Sequence, residues 1–481
     1  VSRGVGYSKK YEVTFLFCDQ QKKWFIHPND IAVWDQESGT MDGEGGLYLT
    51  AYEPDVPSEW KDNLLAQLNS RKISQRPPFA YFPGSSVSSK PKSSLDTNLQ
   101  LLPVKDCKLK GSEIPTRWGE WTNSGFPLPE IRWRVSNVNI QLMPLAFPDR
   151  KSKVTPNELF GPTMRAVTKY WENTSDVEVK INWRVPNDWI QLSKPIQRYS
   201  DTTNGKDPLS WGRNTLKEAD PQIDFSGANM IIFVTPVRDS LNDWQPSHFH
   251  SALIPNNGWK TDEGTIHNVS LMEWFTSGEN DAALAPMGWI HHFLHMSGAD
   301  DNFDMRNPIN PINSREWYWE INKYMGVWGN MSMAQLNEPL LWDKFRMGQI
   351  NDSQIYCVSP TTTGTFWLRP NAIKGNFVKG VVIPLGIQNG IVIESVRAIG
   401  YNYLLYPKNQ GALVYTVDTS SSDWENHPLV LVPRPGVKDR LLSDAALREG
   451  DSVIVSGVKI TVVEAGDFGD VIRVEKTGQS S

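Results

Sequence analysis

One stretch constrains this chain more than any other. It is Gly288-Trp-Ile-His-His-Phe-Leu-His-Met-Ser-Gly-Ala-Asp-Asp-Asn-Phe-Asp304, which holds three of the protein's 8 histidines. His291 and His295 stand four positions apart, and on an α-helix that spacing stacks two imidazoles on one face, one turn apart. This is how a single helix offers two nitrogens to one zinc ion. Gly298 follows where such a helix has to stop and turn back. Asp301 then arrives three residues later as an oxygen ligand. The spacing predicts a helix over the histidines, a turn at Gly298 and a metal set of His291, His295 and Asp301. Glu320 is the alternative third ligand, because zinc takes a distant carboxylate as readily as a near one. Its other reading is a solvated helix position.

The pattern His-x-x-x-His-x-x-Gly-x-x-Asp resembles the zinc-binding segment of the immune-inhibitor-A-like (M6) secreted metalloproteases, relatives of the metzincins. The family segment runs His-Glu-Phe-Gly-His-x-x-Gly-x-x-Asp-x-x-Asp. Here His291, Phe293, His295, Gly298, Asp301 and Asp304 fall on matching positions. The family's glutamate, the general base, is replaced by His292. The resemblance also implies that Met331, in Met325-Gly-Val-Trp-Gly-Asn-Met-Ser332, forms a Met-turn under the metal. From packing alone Met331 reads as core filler. The resemblance covers roughly residues 130–475.

Three outcomes stand open for the histidine segment. The metal site is kept while hydrolysis is lost, giving a pseudopeptidase. Alternatively, His292 serves as base in a weakly active zinc peptidase. In the third, the histidines pack as polar core or pair with Asp300, Asp301 and Asp304. That acidic trio also reads as a calcium site. His248 and His250 alternate on one strand face, which offers a second metal site or an ordinary surface strand.

With 481 residues, the chain exceeds one ordinary core, so two or three domains are expected. A net charge of −6 with no long basic run argues against nucleic acid as a partner. No run of apolar residues is long enough for a membrane-spanning helix. The chain opens at Val1 without Met or an apolar leader, which reads as a mature or trimmed chain. Cys18, Cys107 and Cys357 show no Cys-x-x-Cys spacing. One disulfide with a thiol left over and three buried thiols are both compatible with that. The 20 Trp and 33 Pro suit a loop-rich extracellular protein, secreted or held at a cell surface.

Hydrophobic patterning fills in the rest. Tyr11–Phe17 and Gly46–Tyr52 read as strands and Ser58–Leu68 as a helix. Ser74–Ser94 reads as a Pro- and Ser-rich linker. Thr155-Pro-Asn-Glu158 is a capping box with Pro at the first helical position, opening a helix with Phe160, Met164, Val167 and Trp171 on one face. Val138–Phe147, Asp176–Trp183 and Asn229–Thr235 read as strands. From Phe366 onward the chain reads all-β, with a hairpin signal at Asn389-Gly390.

The expected fold class is α+β. A β-rich N-terminal region (1–73) and a linker (74–117) precede a zincin- or metzincin-like catalytic domain (118–356), and an all-β, sandwich-like domain (357–481) follows. The expected function is that of an extracellular M6-type zinc metalloprotease-like protein with weak or absent hydrolysis. The alternative is a surface or assembly protein that keeps the fold as a binding platform. Expected partners are a protein or peptide substrate, a second copy of the chain or a surface component.

Overall fold

The computed structural model describes three strands before residue 27 (Val5–Ser8, Val13–Cys18 and Lys23–Ile26) and the chain from 89 to 477. Within that span, residues 97–98, 113, 116–120, 129, 200–208, 237–249, 255–257, 273–284, 300, 303–319, 333–337, 403–404, 406–408, 422–426 and 438 are not described. The strand expected over Gly46–Tyr52, the helix over Ser58–Leu68, most of the Ser74–Ser94 linker, His248, Asp300 and Asp304 therefore lie outside the described residues. What is described is a mixed α+β protein with few helices and many strands in several sheets.

Its first half is built on strand β1 (Val138–Ala146), followed by helix α1 (Pro156–Thr174) and strand β2 (Ile181–Arg184). Helix α2 (Ser210–Ala219), β3 (Met230–Val234), β4 (His250–Leu253), β5 (Asn268–Leu271) and helix α3 (Ala285–Met296) complete it. The main path of the sheet runs β4-β5-β3-β1-β2; β4 is antiparallel and the other neighbours pair in parallel. Parallel strands carry helices on both faces, so their central members are apolar without alternation. β3 is buried at all five positions. Its Met230, Ile232 and Val234 join Ile140 and Leu142 of β1 on the α1/α3 side. Ile231 and Phe233 point to the α2 side with Trp211 and Leu216.

α1 begins where the capping box places it. Glu158 N–H donates to Thr155 Oγ1, and Thr155 N–H donates to the Glu158 carboxylate at 2.7 Å. The strand expected over Asp176–Trp183 is shorter than its alternation suggests. Only Ile181–Arg184 pairs with β1, because Asp176 is drawn off to bond Gln354, Gly375 and Lys379.

The second half holds α4 (Leu341–Arg346) and strands β6 (Ile355–Cys357), β7 (Gly364–Leu368), β8 (Gly380–Pro384) and β9 (Asn389–Val396). It continues with β10 (Gly411–Asp418), β11 (Leu429–Leu431), β12 (Ser452–Val455), β13 (Val458–Gly466) and β14 (Gly469–Lys476). They form one sheet of order β6-β8-β9-β10-β11 and another of order β7-β14-β13-β12. Both sheets contribute to one core, Ile383, Ile393 and Val414 from the first and Phe366, Ile460 and Ile472 from the second. β8 and β9 pair as a hairpin, yet Asn389 and Gly390 are already strand residues and the loop is 385–388. Neighbours fix that loop: Lys110 N–H donates to Ile387 O and Thr419 N–H to Gln388 O. Cys107 and Cys357 form a disulfide that joins positions 250 residues apart.

α4 spans the two halves. At its start Leu341 N–H donates to the buried Glu394 carboxylate at 2.9 Å. At its end Arg346 donates to Ser297 O, in the last turn of the histidine helix, also at 2.9 Å. Lys344, between them, forms a fully buried pair with Glu338 at 2.7 Å.

Candidate metal centre

α3 carries all three clustered histidines, as the spacing predicts. Its apolar residues Trp289, Ile290, Phe293 and Leu294 pack into the core shared with α1 and β1. Trp133 fixes the depth of the helix: its indole N–H donates to Phe293 O at 2.9 Å, and its ring meets Phe293 and Trp171 edge-on.

The helix stops at Gly298 by a Schellman motif. Gly298 N–H donates to His295 O at 2.7 Å and Ala299 N–H to Leu294 O at 3.1 Å. Gly298 takes φ +88°, and a Cβ there would collide with the Arg132 guanidinium. That guanidinium belongs to a second device: Arg132 and Arg346, both buried, donate to Ser297 O. Two cations at the carbonyl end of a helix complement its dipole. The sequence reading missed both arginines, because nothing in their local patterns marks them as helix caps.

The turn sets the His295 ring, and a carbonyl 39 residues away sets that of His291. Ala299 O lies 3.0 Å from His295 Nδ1, and Asn330 O lies 2.9 Å from His291 Nδ1. A carbonyl only accepts, so each Nδ1 carries the proton and each Nε2 presents a lone pair. Those two Nε2 atoms stand 3.0 Å apart, and both face Asp301 Oδ1 at 3.2 and 3.3 Å. Oδ1 is buried with no other hydrogen-bond partner among the described residues. Burial would push the Asp301 carboxyl up, but the positive charge of protonated His295 and His291 outweighs it and holds the carboxyl well below the usual carboxylate range. With both imidazoles neutral, three electron-rich atoms converge on one point, an arrangement that is repulsive unless a cation sits among them.

The spacing fits zinc. Ligands about 2.0–2.1 Å from a common tetrahedral ion stand roughly 3.3 Å from one another. His291, His295 and Asp301 are the one group of metal-ligating side chains that converge among the described residues. Their side chains remain 22–23% exposed, so the site is open to solvent on one side. A closed structural zinc site would be buried on all sides.

Glu320 sits apart at a half-exposed helical position, paired with Lys323 at 2.7 Å. Met331 is buried in the core with Phe293 and Leu294, and its carbonyl accepts Asn302 N–H at 2.7 Å. The segment around Met331 thus supplies two carbonyls, from Asn330 to the His291 ring and from Met331 to the residue after Asp301. Tyr170 of α1 steadies it by donating its hydroxyl to Asn330 Oδ1 at 2.7 Å. His292 is buried, its ring centre 5.4 Å from that of His291 and 5.9 Å from that of His295. His250 begins β4.

No protein-family model matches the chain, and no curated protein matches it in sequence.

Proposed function

We propose that His291, His295 and Asp301 hold a zinc ion in a zincin-like catalytic domain. On this reading the protein is an extracellular M6-type metalloprotease-like protein whose hydrolysis is weak or lost. The observation that carries it is the convergence of two Nε2 lone pairs and one carboxylate oxygen at 3.0–3.3 Å, with both Nδ1 protons engaged by backbone carbonyls. Carbonyl partners of this kind orient metal-binding imidazoles and raise their basicity. The zincin reading draws support from the run of β1, α1, β2, α2 and strands β3 to β5 ahead of the histidine helix, followed by a tight turn bearing Met331. Two nitrogens and one oxygen favour zinc over calcium, which takes oxygen ligands.

When bound, zinc polarises a substrate carbonyl and lowers the pKa of a coordinated water. The chain's own residues bind and orient that ion; a base must also take the water's proton and pass it on, a contribution typically worth about 10²–10⁴ in rate. Where the M6 pattern has glutamate, this chain has His292, a shorter and differently shaped side chain held among buried neighbours. The substitution favours a pseudopeptidase. It also supports the second reading, a surface or assembly protein that retains the fold as a platform for a protein partner.

The experiment is hydrolysis of an unfolded protein substrate by the zinc-loaded chain, with His291→Ala as blank and His292→Glu beside it. The expected result is little or no cleavage by the native chain and a gain in His292→Glu. Strong native cleavage abolished by His291→Ala would overturn the pseudopeptidase assignment and put His292 in the base role. Silence of all three variants would leave the platform reading.

A further inference from the structure

Away from the histidines, a cleft of about 610 Å³ opens between residues 126–128 and 134–136 and the end of α4. Its walls bear four cationic side chains, Lys108, Lys110, Arg134 and Arg346, and among the described residues no carboxylate lines it. In a chain of net charge −6 that is a strong local reversal of sign.

The four cations are not equivalent. Lys108 is paired with Asp352 at 2.8 Å, and Arg346 lies 3.7 Å from Asp343 and donates to Ser297 and Asn123 carbonyls. Lys110 and Arg134 have no carboxylate partner among the described residues. The Arg134 contacts are three backbone carbonyls, of Leu128, Arg132 and Trp133, each at 3.4 Å, the long limit of hydrogen bonding. Partial burial pulls its guanidinium below the ordinary arginine value, with no neighbouring anion to offset the cost. Two uncompensated positive charges therefore share one concave site. Phe126, Leu128, Val135 and Met347 supply an apolar lining between them. A concave apolar surface with a few convergent polar groups is the usual form of a small-molecule site.

We infer that this cleft binds a phosphomonoester carried on an apolar body, with Lys110 and Arg134 on the phosphate and the body against Phe126 and Met347. The charge decides the class. A phosphomonoester is close to a dianion at neutral pH and matches two cations, whereas a carboxylate or a sulfate ester supplies one charge. Guanidinium and ammonium groups are the side chains that bind phosphate by charge-assisted hydrogen bonds. The inference does not rest on the zinc reading, since none of these residues is a metal ligand.

The test is calorimetric titration of the full chain with phenyl phosphate, with phenyl sulfate and phenol as controls. A single saturable site is expected for phenyl phosphate, with phenyl sulfate at least tenfold weaker and phenol silent. Lys110→Gln, a change at an exposed position, should weaken phenyl phosphate about tenfold, and adding Arg134→Gln should weaken it further. Raising the salt from low to physiological strength should also reduce the affinity. An absence of saturable binding, or affinity unchanged in Lys110→Gln, would overturn the site. Phenyl sulfate binding as tightly as phenyl phosphate would overturn the assignment of a dianion.

Discussion

At Gly298 two demands coincide: a left-handed backbone that closes the helix, and room for the Arg132 guanidinium that caps it. Gly298→Ala meets neither. The expected cost is about 1–3 kcal/mol or more from strain and collision together, with weaker zinc binding because Ala299 O and Asp301 both hang from this turn. Denaturant unfolding and zinc titration of the same variant check the two effects; a neutral result in both would remove the turn from the account. Tyr170→Phe is gentler. It deletes one hydroxyl from the buried bond to Asn330 and should cost about 1 kcal/mol, with a modest loss of zinc affinity through the looser Asn330 carbonyl.

At the residue scale the sequence was most informative where spacing alone fixes geometry. The four-residue interval of His291 and His295, the stop at Gly298 and the return at Asp301 all follow from helix periodicity and a glycine's freedom. The Nδ1 partners could not be read that way. They are backbone carbonyls, which carry no side-chain signature, and one of them comes from a turn 39 residues away.

Among the elements, α1 shows how much a local signal can settle. The capping box and Pro156 fix its start, and the apolar stripe selects the face that packs on α3. Thr155→Ala should cost about 1 kcal/mol in chemical denaturation by removing the Oγ1 acceptor from the first turn. An unchanged stability would mean that packing of the stripe makes the cap redundant. α4 shows the opposite case. It is six residues long and buried at every position, including Asp343, Lys344 and Arg346. Nothing local in Leu341–Arg346 marks its three charged side chains as buried; only the tertiary partners Glu338, Glu394 and Ser297 make it a strut. The Asn389-Gly390 signal likewise gave the right hairpin but the wrong turn, because contacts from Lys110 and Thr419 outweigh the turn preference.

Across the whole molecule, a buried ionic cluster joins the two halves. Asp176 follows α1, Glu338 and Lys344 flank and occupy α4, Lys379 immediately precedes β8 and Glu394 belongs to β9. Burial pushes the Glu394 carboxyl up to about 7, despite hydrogen bonds from Leu341 N–H, Tyr415 and Asn371 and the nearby Lys344 charge. For an acid whose value is raised on folding, the stabilising difference is fully present below the unfolded value, about 4.5, and is lost as pH rises through 7. Wild type should therefore lose stability relative to Glu394→Gln between about pH 4.5 and 7, a difference on the order of a few kcal/mol. Denaturation curves of both proteins across that range check the slope. Parallel curves would contradict the raised carboxyl. Breaking the buried Lys344–Glu338 pair from one side, as in Lys344→Met, should cost about 3–5 kcal/mol by stranding a carboxylate. None of this cluster was legible in the sequence, because its members lie scattered from Asp176 to Glu394.

The measurement that tests the central claim most directly is calorimetric titration of the metal-stripped chain with zinc at neutral pH, beside His295→Ala. One tight site per chain is expected, with loss of that site in His295→Ala. No zinc binding, or binding that survives His295→Ala unchanged, would contradict it.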